Sequence, residues 1–295
     1  VYDVEINGGT VTNDQEITID QLTFGGGMLG GTFSLTVIEG MQWSAGTIRG
    51  SGTLVLAGTS AIVGGVQPLV LDGRTINHSG SATFSAGTIR GGFGATLNNL
   101  AGAMFTALGE AAFFSDPASP DWTINNAGTF AARSISGVGF TSMDAVFHNS
   151  GTVRIELAGL ALAHTLSLAG GGTHSGLIDL PSGAAVEFGN GTMLQSGTTI
   201  TGAGTAFVAG EVIVSGSISA ENLAIAVGEL KIETGTVSIG HEAWQTGGTV
   251  RLDDGTLRVA DGGGTFVLDG GALMGSGMLE AGLDVSGEVA PGATL

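Results

Sequence analysis

Two copies of one short sequence, Trp43-Ser-Ala-Gly-Thr-Ile-Arg-Gly50 and Phe84-Ser-Ala-Gly-Thr-Ile-Arg-Gly91, decide how this chain folds. The copies begin 41 residues apart. This offset corresponds to two turns of a coil of about 20 residues, a length typical of stacked-strand repeats. A weaker third copy begins at Trp244 and ends at Arg251. The chain therefore reads as variations on one repeating unit.

Glycine followed by threonine and an apolar residue recurs along the chain, for example at Gly52-Thr53-Leu54 and Gly248-Thr249-Val250. Glycine adopts the positive φ angle that a sharp corner needs. Threonine is β-branched and favours the first position of a strand. Between the corners, apolar and polar residues alternate with a period of two, as over residues 15–24. The pattern predicts short strands joined by tight corners.

A second series of related segments fills the middle of the chain. The four segments end at Gly80, Gly102, Gly128 and Gly151, so their spacings are 22, 26 and 23 residues. These spacings place Asn98, Asn125 and Asn149 at one corner of successive coils, where stacked amides bond along the axis. We therefore predict a structural asparagine ladder.

These observations predict an all-β fold, a right-handed parallel β-helix (β-solenoid) of about 13 coils. At strand spacing the coils form a rod about 60 Å long. Residues 1–295 are expected to form a single continuous domain. The chain begins at Val1 instead of Met, and its last seven residues stop in mid-pattern, which favours a fragment or processed part of a longer chain.

Composition excludes several classes of protein. The 295 residues contain no cysteine, which excludes a disulfide scaffold and thiolate metal sites. Glycine accounts for 55 residues, and apolar residues make up 42% of the chain, enough to bury a core. No run of 18 apolar residues occurs, so no membrane-spanning segment is predicted.

Charge is sparse and strongly acidic. The chain has 26 acidic residues against 8 basic ones, for a net charge of −18. Such a field repels nucleic acids and anionic membrane surfaces. We therefore predict no nucleic-acid partner.

The Gly-Thr corners, the asparagine series and the repeated Trp43–Gly50 unit together resemble the β-solenoid passenger regions of bacterial autotransporter and filamentous-haemagglutinin-like surface proteins. The sequence Leu283-Asp-Val-Ser-Gly-Glu-Val-Ala-Pro-Gly-Ala-Thr-Leu295 looks like the Pro-Gly corner common in such passengers. The resemblance extends over most of the chain, in the kind of repeat and not as an alignment of residues. It implies an extracellular protein at the bacterial cell surface that acts as an adhesin or a structural fibre.

One stretch, Leu108–Trp122, breaks the rhythm with two prolines and is expected to form an irregular loop outside the coil. Loops on rigid scaffolds often carry binding sites. Trp122, Asp116 and Asp121 are therefore the candidate ligand-binding residues, with Trp122 as a platform for a sugar or partner. Glu110, Asp116 and Asp121 form a candidate calcium site, because hard cations prefer converging oxygen ligands. No other cofactor is predicted.

Three arginines, Arg49, Arg90 and Arg251, occupy one position of the repeated unit and are expected to share a face. They would pair there with carboxylates or, alternatively, form a row that binds acidic glycans. The aromatic residues that open the units, including Trp244, are expected in the core or at a corner.

Sequence motifs for catalysis are missing. No Gly-x-Ser-x-Gly elbow occurs, and His241-Glu242 lacks the second histidine of a zinc helix. We therefore expect no enzyme. The resemblance to surface-protein passengers implies instead an extracellular structural or adhesive rod whose partners are other copies, joined end to end, or surface glycans. The alternative is a polysaccharide-degrading or tailspike-like β-helix enzyme, which needs paired carboxylates in a groove.

Overall fold

A computed structural model describes residues 2–292, so that the last three residues of the predicted Pro-Gly corner lie outside the described part. Every strand pairing between the named strands is parallel, and the chain winds through about 14 turns. This architecture confirms the predicted all-β parallel β-solenoid. In the described residues the only helical element is the single 3₁₀ turn Ala260–Gly262.

The strands are β1 Val4–Asn13, β2 Ile17–Gly31, β3 Leu35–Trp43, β4 Thr47–Arg49, β5 Thr53–Leu56, β6 Thr59–Val63, β7 Leu69–Asp72, β8 Thr75–His78, β9 Ser81–Gly92, β10 Ala95–Asn99, β11 Met104–Ser115, β12 Trp122–Asn126, β13 Thr129–Met143, β14 Val146–Asn149, β15 Thr152–Leu168, β16 Gly172–His174, β17 Leu177–Asp179, β18 Ala184–Phe188, β19 Thr192–Gln195, β20 Thr199–Thr201, β21 Thr205–Val208, β22 Glu211–Ser215, β23 Ile218–Ile225, β24 Glu229–Thr234, β25 Thr236–Gln245, β26 Thr249–Leu252, β27 Thr256–Val259, β28 Thr265–Leu268, β29 Ala272–Gly275, β30 Met278–Glu280, β31 Gly282–Val285 and β32 Glu288–Pro291.

The register of the pairings divides the turns into three parallel sheets, which we call A, B and C in the order in which the chain meets them. Sheet A contains the column Phe24, Trp43, Ile62, Phe84, and sheet C contains the column Leu35, Leu54, Ile76, Leu97. Sheet B contains the column Phe113, Met143, Leu168, Phe188. Alternate residues of all three sheets point inward and form one continuous core.

The corners explain why the repeat is rich in glycine. Gly50, for example, has a φ of 100°, and a Cβ atom there would collide with the backbone oxygen of Gly31 one turn earlier. Successive turns of the solenoid can therefore stack at this corner only because the residue has no side chain.

The predicted irregular loop at 108–122 is wrong over most of its length. Residues 108–115 belong to β11, which bends at a bulge between Leu108 and Ala111 and then pairs with β9 and β13. Phe113, within this stretch, is fully buried in the core. Only residues 116–121, which hold both prolines, leave the coil.

Two longer corners between sheets A and B were not foreseen. They lie within β13 and β15, where residues 134–138 and 157–163 extend sideways and pair with each other through Ser136–Leu160 and Gly137–Ala161. The sequence concealed them, because their residues continue the alternation of a strand.

The asparagine series forms two ladders instead of one. In the outer ladder, Asn125 donates from Nδ2 to Oδ1 of Asn98 at 2.8 Å, and Asn98 donates to Asn77 at 2.8 Å. The predicted pairing of Asn98 with Asn125 is therefore confirmed. Asn149 does not join them, because the strand register places His148 opposite Asn125.

Asn149 belongs to an inner ladder that lies in the core of sheet C. Asn99 donates to Asn126 Oδ1, and Asn126 donates to Asn149 Oδ1, both at 2.7 Å. His78 closes one end, with Nδ1 3.1 Å from Asn99 Oδ1, and His174 occupies the other end of the column. These five buried polar residues interrupt a column that is apolar on both sides, at Leu56 and Leu194.

A buried arginine joins the first turns. Arg74 is fully buried, and its guanidinium donates to the backbone oxygens of Arg49 at 3.3 Å and Phe33 at 3.2 Å. It also donates to Asn13 Oδ1 at 3.3 Å. The acceptors belong to the three preceding turns, so one side chain ties four turns together. Burial lowers the pKa of Arg74, yet its hydrogen bonds hold the charge in place.

We predict that Arg74→Met lowers the free energy of unfolding by roughly 3 kcal/mol, because its three acceptors each lose a hydrogen bond from the buried guanidinium. Arg154→Met is the matched control, since the Arg154 side chain is 48% exposed and pairs with Asp179 at 3.5 Å. A surface pair of this kind contributes at most about 1 kcal/mol. Chemical denaturation measures both; equal losses in the two variants would contradict the role of Arg74.

Stability is also predicted to depend on His174 between pH 7 and pH 4. The pKa of this fully buried imidazole is lowered to about 4, first by burial and then by the charge of His148. In the unfolded chain this histidine has an ordinary pKa near 6.5, so between pH 6.5 and pH 4 it is protonated there but stays neutral in the folded protein. Stability therefore falls as the pH drops through this window, by about 3 kcal/mol for this residue.

His174→Leu tests this prediction, because neither ring nitrogen of His174 has a hydrogen-bond partner and Leu194 already follows in the same column. The variant should lose about 3 kcal/mol less than the wild type between pH 7 and pH 4 in denaturation experiments. Identical pH profiles would show that His174 is not protonated on unfolding. The pKa of His164 is also lowered to about 4 by burial, and this residue is unchanged in the variant, so its contribution to the pH dependence is the same in both proteins.

Candidate functional site

The excursion over residues 116–121 is a closed turn. Asp116 and Ser119 form an antiparallel bridge, and the Asp116 backbone nitrogen donates to the Gly91 oxygen at 2.7 Å. Asp116 Oδ1 accepts from the Ala118 nitrogen at 2.8 Å. Asp121 Oδ1 accepts from the Ser119 hydroxyl at 2.7 Å, and this bond lowers the pKa of Asp121. Both carboxylates therefore serve the turn itself.

The prediction that Trp122 is an exposed platform is wrong. Trp122 begins β12, is 1% exposed and stacks on Phe113 with ring centroids 6.5 Å apart. Its indole lies against Gly91, where a side chain would collide with it. The physical reason is register, since Trp122 pairs with Ala95 at an inward position of sheet C.

The predicted calcium site is not assembled. Glu110 is exposed at the bulge of β11, and the described residues contain no group of three or more His, Asp or Glu side chains placed to hold a metal ion. Asp116 and Asp121 accept hydrogen bonds from their own turn instead of converging on Glu110.

The predicted arginine row does not form either. Arg90 pairs with Val70, which pairs with Thr47, so Arg90 lies two residues out of step with Arg49. The intervening turn has a longer corner, over residues 64–68, and the register shifts there. Arg49 lies 3.7 Å from Asp72, an exposed ion pair.

Arg251 lies on a different sheet. Its Nε is 3.3 Å from Glu229, and Lys231 next to it approaches Glu233 at 2.7 Å and Asp253 at 3.5 Å. This network covers the outer surface of sheet C and neutralises part of the acidic excess. The predicted ion pairing is thus confirmed for Arg49 and Arg251, but the two arginines do not share a face of the solenoid.

A surface depression lies on sheet B, around Trp244. One lobe, of about 600 Å³, is bordered by Trp244, Thr246, Thr265, Val267 and Asp269. A second lobe, of about 390 Å³, is bordered by Thr205, Glu221, Asn222 and Trp244. His241 and Glu242 border both lobes, so that together they form one groove, which we call the Trp244 groove.

Trp244 faces outward because of a change in phase. In the first unit Trp43 precedes the Gly-Thr corner threonine by four residues, whereas Trp244 precedes Thr249 by five. One extra residue in a strand turns a side chain to the other face. Ala243 and Gln245 are accordingly buried, and Trp244 is half-buried on the surface. The extra residue is visible in the sequence and could have predicted that Trp244 faces outward.

The groove has an acidic border. Glu221, Glu242 and Asp269 are exposed, and Glu242 approaches Nδ1 of His241 at 3.8 Å. Asn222 is oriented by two bonds from its Nδ2, to the backbone oxygens of Gly204 at 3.0 Å and Ala203 at 3.3 Å. The groove thus combines a partly exposed indole with short polar side chains, which suits a ligand with both apolar and hydroxyl-rich faces.

The fold defines a β-solenoid repeat protein. No protein-family model matches the chain, and neither a curated protein nor a solved structure shows significant similarity to it. No helix in the described residues is long and apolar enough to cross a membrane.

Fluorescence quenching should distinguish the three tryptophans. Trp43 and Trp122 are each 1% exposed, whereas Trp244 is half-buried. We predict that acrylamide quenches mainly Trp244 and that Trp244→Phe removes most of the quenchable emission. Trp122→Phe is the control and should lower the intensity while leaving the quenchable component. Loss of quenching in the Trp122 variant instead would place that indole at the surface.

Proposed function

We propose that this protein is an extracellular structural and adhesive rod of a bacterial surface or secreted protein. The observation that carries the proposal is the uninterrupted stacking of about 14 turns around one core. In a solenoid each turn contacts only its neighbours, so a break in the core would create a hinge. Continuous columns in all three sheets leave no such break in the described residues, and the product is a stiff spacer.

The surface chemistry supports this role. With 26 acidic and 8 basic residues, neighbouring rods repel each other sideways, which keeps them separate and soluble. The strand edges at the ends of a stack offer unpaired backbone groups, and end-to-end pairing between copies satisfies them. Fibre formation by copies of this chain, and contact with surface glycans, are the corresponding proposals for its partners.

The side chains that the structure brings together favour a non-enzymatic role. The acidic residues of the 116–121 turn are bonded within it, and other carboxylates lie in ion pairs, such as Asp179 with Arg154 and Asp253 with Lys231. The alternative, a polysaccharide-degrading enzyme, draws on Glu242 and Asp269, which both border the larger lobe of the Trp244 groove. Release of reducing ends from soluble polysaccharides, abolished by Glu242→Gln, would favour this alternative.

Small-angle scattering and electron microscopy of the purified protein test the rod. At about 4.8 Å per turn, we predict single rods about 65 Å long, of constant width at low concentration. A bent or broadly distributed particle shape would contradict a stiff spacer. Antibody labelling of intact source cells tests the location, and signal only after permeabilisation would contradict an extracellular role.

A further inference from the structure

The outer surface of sheet B carries two aromatic residues in one column. Phe207 pairs with Ala224, and Ala224 pairs with Trp244, so the two rings stand two turns apart, about 10 Å. Both are half-buried. Ala224 points outward between buried Leu223 and Ile225, yet it is only 1% exposed. Ala224 therefore lies buried on the outer face of the sheet, between Phe207 and Trp244.

A polar column runs beside the aromatic one. The register aligns Thr205 with Asn222, and Asn222 with Glu242. Thr265 follows, because Ala243 pairs with Phe266. On the other side of Trp244 lie Thr246 and Asp269. Hydroxyl, amide and carboxylate groups therefore flank Trp244 on both sides, and on one side they continue along several turns at the regular spacing of the strands.

We propose that the Trp244 groove binds a neutral carbohydrate chain. Aromatic faces stack on the C–H face of a sugar ring, while polar side chains at the ring edges bond its hydroxyls. The two lobes, about 600 and 390 Å³, have the size of small-ligand sites. Trp244, the aromatic residue that borders both lobes, supplies the first kind of contact, and the polar side chains beside it supply the second.

Charge selects among carbohydrates. Glu221, Glu242 and Asp269 border the groove against a single histidine, His241, and the whole chain carries a charge of −18. Sialylated, sulfated or uronic-acid chains would be repelled by this field. Protein partners dock around larger apolar centres with depleted charge, which the border of this groove does not provide. A neutral glycan satisfies both constraints.

This inference rests on the adhesive part of the proposed function and names its ligand class. The two can fail separately. A stiff rod that binds no glycan would support the structural role and contradict glycan binding by the Trp244 groove. A flexible particle that binds glycans would contradict the stiff rod and support glycan binding.

The test applies the fluorescently labelled full chain to an array of neutral and acidic glycans. We expect signals on neutral chains, weakened about tenfold or more by Trp244→Ala, since loss of a stacked ring costs about 1.4 kcal/mol. Trp244→Phe should restore part of the binding. Phe93→Ala, which removes an exposed aromatic side chain outside the groove, is the matched control and should bind like the wild type.

Because the indole of Trp244 points outward, its variants should melt within a few degrees of the wild type, which separates lost binding from lost folding. The proposal is overturned by wild-type signals on no glycan, by signals that Trp244→Ala leaves unchanged, or by a preference for acidic glycans. Trp244-dependent capture of a protein ligand without any glycan signal would overturn it as well.

Discussion

Each turn of this chain satisfies its backbone hydrogen bonds only through the turns before and after it. The parallel pairings run without interruption from β1 to β32. This constraint fixes the distance between turns and aligns equivalent positions into columns. It also dictates the glycine corners, since a Cβ at Gly50 would collide with the backbone of the previous turn. Core, corners and surface all follow from this axial bonding.

The columns allow buried polar side chains to bond to one another along the axis. The inner ladder of Asn99, Asn126 and Asn149 works because each amide finds the next one turn away. A single asparagine there would leave its Oδ1 unpaired in an apolar core, whereas its Nδ2 could still donate to a backbone oxygen of the next turn, as Asn126 does to Thr152. Arg74 follows a different logic, because its long side chain reaches carbonyl oxygens of earlier turns. Both devices fix the register of neighbouring turns, which an all-apolar column would leave less defined.

The surface of the solenoid shows why the irregular stretch was a poor guide to a binding site. Prolines at 117 and 120 do expel a short turn, but its polar groups bond to each other. The regular sheet B face, by contrast, places Phe207 and Trp244 in one column beside a polar one. In a stacked fold, a site can arise from residues about 20 positions apart that no local motif connects.

The class of fold could be predicted from the sequence alone, because period-two alternation and Gly-Thr corners are local properties that any stack of coils must satisfy. The sequence also predicted the pairing of Asn98 with Asn125, and it placed the aromatic residues that open the units in the core or at a corner, which holds for Trp43 and Phe84 but not for Trp244. Only the tertiary structure decided which face each side chain takes. Trp122 turned inward, Trp244 turned outward, and Asn149 joined Asn126, since each depends on the register between turns. A shift of one residue exchanges core and surface, and corners of unequal length set that shift only once neighbouring turns have paired.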